Sequence, residues 1–235
     1  TIRIAQYLGM EKVAEIANRA GVMENMPNVL SMALGAGETT LIDLTAAYAS
    51  FVNGGKKVEP SLIDRIQDRR GKNIFLENFA ACTNCDDPYI EQNPMPNLVN
   101  SSESIFDEAK SYQMVSILKG AVDRGTGRKT KIDGIEIAGK TGTTNNNTDA
   151  WFIGFTSDLI IGVYAGFDKP KSLGKRETGS SVAVPIFRDF VKNYYQEKLI
   201  LPFTIPNGIE LIKINYDTGY VLYHVVLYLV LQCIA

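Results

Sequence analysis

The spacing of apolar residues along the chain predicts a series of helices and strands. Apolar positions recur at helical spacing in four segments, and we predict helices over residues 1–20, 40–52, 107–123 and 181–197. The first helix is interrupted at Gly9. Alternating apolar and polar positions predict a hairpin from 57–67 and 72–77 and three strands over 134–143, 149–156 and 158–167.

Two segments do not follow these patterns. Residues 80–104 are rich in Asn, Pro, Ser and Asp, which predicts a surface loop. Residues 220–235 contain no acidic or basic side chain, yet the run is shorter than the roughly 20 apolar residues of a membrane helix. A buried strand pair, an incomplete membrane segment and out-of-frame sequence are the alternatives for this tail, and its abrupt composition favours the last.

Composition excludes several classes of function. The 24 basic and 26 acidic side chains give a net charge of −2, which is not the electrostatic footprint of a nucleic-acid-binding protein. With 45% hydrophobic residues the chain can bury a sizeable core. It opens within a predicted helix, without an initiator Met or a signal-peptide pattern, so we expect its parent gene product to be longer.

Cysteine and histidine are scarce. Cys82 and Cys85 form a C-x-x-C pair, but no second pair follows at zinc-ribbon spacing and the single histidine, His224, is distant in sequence. A loop disulfide or two free thiols are the favoured alternatives to zinc. One histidine also argues against a Ser-His-Asp hydrolase. We expect no metal and no cofactor.

The segment that carries chemistry is Lys140-Thr141-Gly142-Thr143-Thr144, at the end of a predicted strand. A Lys-Thr-Gly triplet is one of the active-site motifs of penicillin-binding proteins and class A β-lactamases. Alone it is weak, because a strand that ends in an exposed lysine and a turn glycine has the same sequence.

The surroundings strengthen the motif. Gly125-Thr126-Gly127, Ala138-Gly139 before the triplet and Asp149-Ala150-Trp151-Phe152-Ile153-Gly154-Phe155 after it resemble the third active-site motif of class A penicillin-binding proteins. Upstream, the segment from Ala33-Leu34-Gly35 to Asn53-Gly54-Gly55 is similar to the helical subdomain of that family. The resemblance covers roughly residues 1–215.

The resemblance implies a fold and an activity. The expected fold is the α+β penicillin-binding/β-lactamase type, an antiparallel sheet flanked by helices. The division is a partial transpeptidase domain over 1–200 (helical subdomain 1–56, hairpin 57–79, loop 80–104, Lys-Thr-Gly sheet and helices 105–200), an extension over 201–219 and the tail over 220–235. The implied activity is serine acyl transfer that cross-links peptidoglycan stem peptides, with β-lactams as inhibitors, on the periplasmic side of the inner membrane.

Roles for the triplet also follow from the resemblance. Lys140 and Thr143 would be catalytic, with the backbone N–H of Thr143 as one oxyanion donor. Lys140, Thr141, Gly142, Thr143 and Thr144 would bind substrate, and the glycine would let an extended peptide approach the strand.

Other motifs of the family are missing. The chain has no S-x-N. Of its two S-x-x-K sequences, Ser116 to Lys119 lies only 24 residues before Lys140, too close for the nucleophile, and Ser172 to Lys175 follows the triplet. We expect both motifs in an N-terminal part that precedes Thr1. The alternatives are a non-catalytic piece of a split gene, or a related β-lactamase or D,D-carboxypeptidase.

Flanking residues have simpler interpretations. Trp151 is expected to be a core aromatic and Asp149 to brace the entry of its strand. Asn145-Asn146-Asn147 is expected to form a polar turn, and Arg176-Glu177-Thr178-Gly179 is a candidate for the rim of the cleft.

Overall fold

The computed structural model describes residues 1–77, 80–83, 97–100, 102–215, 218–220 and 228–233. The helices are α1 (Ile2–Leu8), α2 (Met10–Arg19), α3 (Leu41–Val52), α4 (Glu108–Asp123) and α5 (Val184–Tyr194). The strands are β1 (Arg65–Gln67), β2 (Asn73–Leu76), β3 (Ala80–Thr83), β4 (Asn97–Asn100), β5 (Ala138–Thr143), β6 (Asp149–Phe155), β7 (Ile160–Gly166), β8 (Ile209–Lys213) and β9 (Tyr228–Cys233). The fold is α+β.

Local signals place the helices where the sequence predicts them. Gly9 separates α1 from α2 and has a φ of 86°, in the left-handed region that favours glycine. The Thr40 hydroxyl caps α3 by accepting the Asp43 N–H at 3.1 Å, and the Asp107 carboxylate caps α4 through the Lys110 N–H at 3.0 Å.

The central sheet is antiparallel and three-stranded, in the order β5-β6-β7. Helices cover both of its faces, as neighbouring residues of β7 demonstrate. Gly162 lies against Leu41 and Thr45 of α3, whereas the next residue, Val163, packs in the cluster of α5. Since adjacent strand residues point to opposite faces, α3 and α5 lie on opposite sides of the sheet.

Two apolar clusters form the core. The one on the α5 side is centred on Phe152, Phe187 and Val191, all fully buried, and the rings of Phe152 and Phe187 meet edge to face at 4.9 Å. The other joins Val115 and Leu118 of α4 to β5 and β6, with α3 packed against it. Because α4 contributes to both clusters, it holds β5 in place from the side.

Several strands and one helix are shorter than predicted. Within 134–143 the strand begins only at Ala138, because Gly134, with a φ of 82°, turns the chain between the bridged residues Ile132 and Ile135. Within the predicted strand 57–67, the strand observed is Arg65–Gln67. The helix predicted over 181–197 ends at Tyr194, and its first turn, Gly179–Ala183, is π-helical.

The prediction of a loop throughout 80–104 is wrong for two segments, because β3 pairs antiparallel with β4. Cys85 lies outside the described residues, so the prediction for Cys82 and Cys85 stays a prediction. In the tail, β9 pairs antiparallel with β8, and the interpretation of the tail as a whole stays a prediction. The remainder of the tail, with His224, lies outside the described residues.

Candidate active site

The Lys-Thr-Gly segment forms the exposed end of β5, at the edge of the sheet. Ala138 and Gly139 are fully buried, whereas Lys140 to Thr143 are partly or fully exposed. No other described strand pairs with β5 on its outer side. An edge with unpaired backbone groups is the feature that strand addition by an extended peptide requires.

The pairing of β5 with β6 fixes the directions of the side chains. Thr141 lies opposite Phe152 and therefore shares the α5 face of the sheet, while Lys140, opposite Ile153, shares the α3 face. The two residues thus present a cation and a hydroxyl on opposite sides of one strand edge.

The Lys140 ammonium group is exposed. Its Nζ donates to the carbonyl oxygen of Thr141 at 2.7 Å. Among the described residues no carboxylate lies within ion-pair distance of this Nζ. An exposed cation without a carboxylate partner can attract an anionic ligand group.

Thr141 is linked to a residue that precedes it in the chain. Its Oγ1 lies 2.7 Å from Oγ1 of Thr126, the middle residue of the Gly125-Thr126-Gly127 segment. Residue patterns alone gave Thr126 no role, and only the resemblance drew attention to it. The structure therefore adds Thr126 to the site as the hydrogen-bond partner of Thr141.

The π-helical turn before α5 supports the far end of the strand. The Thr143 Oγ1 accepts the Gly179 N–H at 3.0 Å. Gly179 is buried so closely against the sheet that a Cβ atom there would lie 2.6 Å from Gly142 O and 2.4 Å from Trp151 O. The candidate rim segment 176–179 therefore contacts the Lys-Thr-Gly strand at its glycine, and Gly179 is a residue whose role the sequence did not indicate.

The β5–β6 turn is rigidly hydrogen-bonded. Asn146 and Asn147 have φ values of 63° and 52°, which asparagine tolerates better than most residues. The Asn147 side chain donates to Gly174 O at 2.9 Å. Thr144 Oγ1 lies 2.7 Å from Thr148 Oγ1 and accepts the Asp149 N–H at 2.9 Å. These contacts favour a role for Thr144 in shaping the turn.

Asp149 and Trp151 border the strand on the α3 face. The Asp149 carboxylate accepts hydrogen bonds from Tyr164 at 2.9 Å and from Thr144 at 3.1 Å, which agrees with its expected bracing role. The hydrogen bond to Asp149 raises the pKa of Tyr164. The expectation that Trp151 is a core aromatic is wrong, because its side chain is only half-buried and its ring contacts the exposed Tyr164 at 4.8 Å.

The S-x-x-K pair of α4 has a different environment. Lys119 forms a salt bridge with Glu136, and the other oxygen of that carboxylate accepts the Phe203 N–H at 3.0 Å. The side-chain nitrogen of Lys119 is thus engaged by Glu136. This contact supports the exclusion of Ser116 as the nucleophile.

In the described part of the chain, no group of three or more His, Cys, Asp or Glu side chains is arranged to hold a metal ion. None of the helices there is both long enough and apolar enough to cross a membrane.

Comparison with known proteins identifies the family. The model of the "Penicillin binding protein transpeptidase domain" matches residues 4–192. Since this match covers most of the chain, the protein belongs to the penicillin-binding protein transpeptidase domain family.

Particular relatives are similar to nearly the whole chain. Penicillin-binding protein 1A of Rickettsia conorii is 44% identical over 225 residues, which cover 93% of this chain and 28% of the relative. Penicillin-binding protein 1A of Neisseria gonorrhoeae is 36% identical over 211 residues, or 89% of this chain and 24% of the relative. The chain thus spans less than a third of the length of these relatives.

Solved structures share the fold. The crystal structure of penicillin-binding protein 1A from Haemophilus influenzae matches with a TM-score of 0.79 and 29% identity, covering 97% of this chain and 37% of that one. The PonA1 protein of Mycobacterium tuberculosis in complex with penicillin V matches with a TM-score of 0.64 over 87% of this chain and 53% of that one. At 19% identity the second match shows the fold alone.

Proposed function

We propose that this chain carries the substrate-binding strand of a peptidoglycan cross-linking D,D-transpeptidase, a serine acyltransferase that β-lactams inhibit. Family membership supports the class of reaction. The observation that carries the proposal is the exposed edge-strand end Lys140–Thr143, held from behind by Gly179. That strand is the part of the chain that an extended peptide can reach and pair with.

The residues of the strand have complementary roles in the proposed reaction. The Lys140 ammonium group attracts the terminal carboxylate of the donor peptide. Because the Thr143 Oγ1 already accepts the Gly179 N–H, its own hydroxyl hydrogen remains able to donate to that carboxylate. Thr126 fixes the orientation of the Thr141 hydroxyl. Gly142 presents no side chain to a peptide lying along the strand.

The acyl transfer itself needs a serine. Its Oγ attacks the carbonyl carbon of the penultimate D-alanine, the terminal D-alanine leaves as the amine, and the resulting ester passes its acyl group to a second amine. The backbone N–H of Thr143 is the proposed oxyanion donor, and such a donor contributes about 3 kcal/mol to transition-state stabilisation.

We place the nucleophile outside this sequence. The sequence has no S-x-N, Lys119 of the S-x-x-K in α4 is ion-paired with Glu136, and the other S-x-x-K, Ser172 to Lys175, follows the Lys-Thr-Gly strand. The serine, its lysine and the S-x-N would come from another part of the parent protein, which would act on the periplasmic side of the inner membrane. Alone, the chain would bind the donor peptide without turning it over.

Binding of a donor peptide tests the strand assignment. We expect a tripeptide that ends in D-Ala-D-Ala to shift the backbone amide NMR signals of residues 140–143 in the 235-residue chain. Lys140→Ala should weaken this binding at least tenfold, whereas Lys12→Ala, which removes an exposed lysine of α2, should leave it unchanged. Equal binding by the two variants would remove Lys140 from the site.

Labelling with a fluorescent penicillin tests the absence of the nucleophile. We expect no covalent adduct on the 235-residue chain. An adduct that disappears in Ser116→Ala would assign the nucleophile to α4 and reject the placement above. An adduct that turns over rapidly would favour the related β-lactamase or D,D-carboxypeptidase activity.

A further inference from the structure

A cavity of about 360 Å³ lies between the Arg128–Thr130 turn and the first half of α5. Its size is that of sites for small molecules. Lys140 is not among the residues that line it, so this cavity is distinct from the Lys-Thr-Gly strand edge.

The side chains that line this cavity carry a strongly positive charge, although the net charge of the whole chain is −2. Four cationic side chains line the cavity, against a single carboxylate; they are Arg128, Lys129, Lys131 and Arg188, with Asp189. In the described part of the chain, none of the five takes part in a salt bridge or a side-chain hydrogen bond. Four cations around one space repel one another, and a bound anion would relieve that repulsion.

The backbone that presents these cations is fixed in place. Val184 and Phe187 of α5 are fully buried in the core, and Val184 is also a wall of the cavity. On the opposite side, the Thr130 N–H donates to Gly127 O at 2.8 Å and the Gly127 N–H donates to Ala121 O at 3.0 Å. A ligand would therefore meet a framework that needs little ordering, and only the long side chains would lose freedom.

From this geometry we propose that the cavity binds a phosphate-bearing anion of about the size of a diphosphate. Each arginine can donate two parallel hydrogen bonds to phosphate oxygens, and the lysines supply further donors. A diphosphate ester carries a charge of about −3, since a terminal phosphate contributes roughly −1.5 to −2, and the cavity side chains sum to +3. A single carboxylate would leave most of these donors unused.

The same chemistry has two sources, a soluble diphosphate and a lipid headgroup. Ile186 and Phe190 are half-exposed on the outer face of α5, one helical turn apart, and flank the cavity residues Pro185 and Asp189 in sequence. An apolar pair beside a cationic cavity would suit a headgroup at a lipid surface, so both sources must be tested.

Calorimetric titration of the 235-residue chain with sodium diphosphate, at constant ionic strength and without divalent cations, tests the site. We expect one binding site, and the double variant Arg128→Gln/Arg188→Gln should weaken it at least tenfold. Arg3→Gln/Lys12→Gln, which removes two exposed charges from α1 and α2, is the matched control and should bind like the unmodified chain. Circular dichroism melts establish that each variant is folded.

Two further variants and a vesicle experiment test the specificity of the site and distinguish a soluble from a lipid source. Arg128→Lys/Arg188→Lys keeps the charge and should recover part of the affinity, and Lys140→Ala should leave diphosphate binding unchanged whatever its effect on peptides. Co-sedimentation with phosphatidylcholine vesicles that contain a long-chain alkyl diphosphate, if it depends on Ile186 and Phe190, would identify a lipid source; its absence, with diphosphate binding retained, would identify a soluble one. No diphosphate binding, or equal loss in the Arg3/Lys12 control, would overturn the proposal.

Discussion

Replacing Gly179 with alanine should destabilise the fold and displace the end of β5, because the added methyl group has no free space. A Cβ atom at this position would lie 2.4 Å from Trp151 O, 2.6 Å from Gly142 O and 3.2 Å from Gly142 N. These atoms belong to the backbone of two paired strands, so no side chain can rotate out of the way. The main chain itself has to move.

The change in the free energy of unfolding on Gly179→Ala has three contributions. Overpacking of a fixed site costs about 1–3 kcal/mol, and weakening the hydrogen bond from Gly179 N–H to Thr143 Oγ1 adds about 1 kcal/mol. Alanine restricts the unfolded chain and offsets this by roughly 0.5–1 kcal/mol. The net loss is about 1–3.5 kcal/mol, which corresponds to a melting temperature lower by about 2–14 °C in a domain of this size.

Urea denaturation and thermal melts followed by circular dichroism measure this loss. Gly37→Ala is the matched control, because a Cβ atom there would come closest to the flexible ends of Met23 and Met32. It should change stability by less than about 0.5 kcal/mol. In the Gly179→Ala variant the amide NMR signals of 141–143 should also move. Equal stability of the two variants, with unmoved signals, would refute the argument that Gly179 fixes the strand.

Three further predictions concern buried and ion-paired groups. Burial, together with the hydrogen bond to Asp158, raises the pKa of Tyr195 from 10.0 to about 12. The stability that the protonated Tyr195 phenol contributes is therefore complete below pH 10 and is lost as the pH rises towards 12. The free energy of unfolding of the unmodified chain, relative to that of Tyr195→Phe, should fall by about 2 kcal/mol across that window. Thr130→Val should raise the free energy of unfolding by roughly 0.5–1 kcal/mol, because the Thr130 hydroxyl is fully buried without a partner in the described part of the chain. Burial opposes ionisation of Glu136, but hydrogen bonds from Lys119 and the Phe203 N–H outweigh it and lower the pKa. Glu136→Gln should cost less than about 1 kcal/mol near pH 7, and this cost should vanish as the pH falls through the carboxyl pKa.

Denaturant titrations over a range of pH check all three. Tyr194→Phe, which removes a neighbouring phenol, is the control for Tyr195, and a constant difference from pH 9 to pH 12 would contradict the assigned pKa. Thr130→Ser keeps the hydroxyl and should not stabilise; a destabilised Thr130→Val would show that the hydroxyl has a partner. A cost of Glu136→Gln that does not fall as the pH is lowered through the acid range would mean that the ion pair is not its source.

Helices were predicted well because their signals are local. The apolar spacing and the break at Gly9, and the caps that the structure shows at Thr40 and Asp107, all depend on residues within one or two turns of one another. Strand ends were predicted less well. A strand ends where its pairing with a neighbouring strand ends, and that neighbour is distant in sequence. The pairing of β3 with β4, inside a polar segment that contains prolines, therefore has no short-range signature.

The candidate active site also has one part that the sequence predicts and another that only the tertiary structure reveals. The Lys140-Thr141-Gly142 triplet and its flanking residues were sufficient, by themselves, to predict the family and to single out the strand proposed to bind substrate. Only the tertiary structure decided which residues support that strand: Thr126, which lies 15 positions before Thr141, and Gly179, which lies 36 positions after Thr143. Both contacts depend on how close two backbones approach, and that distance is set by the packing of α4 and α5 against the sheet rather than by any pattern within a single segment.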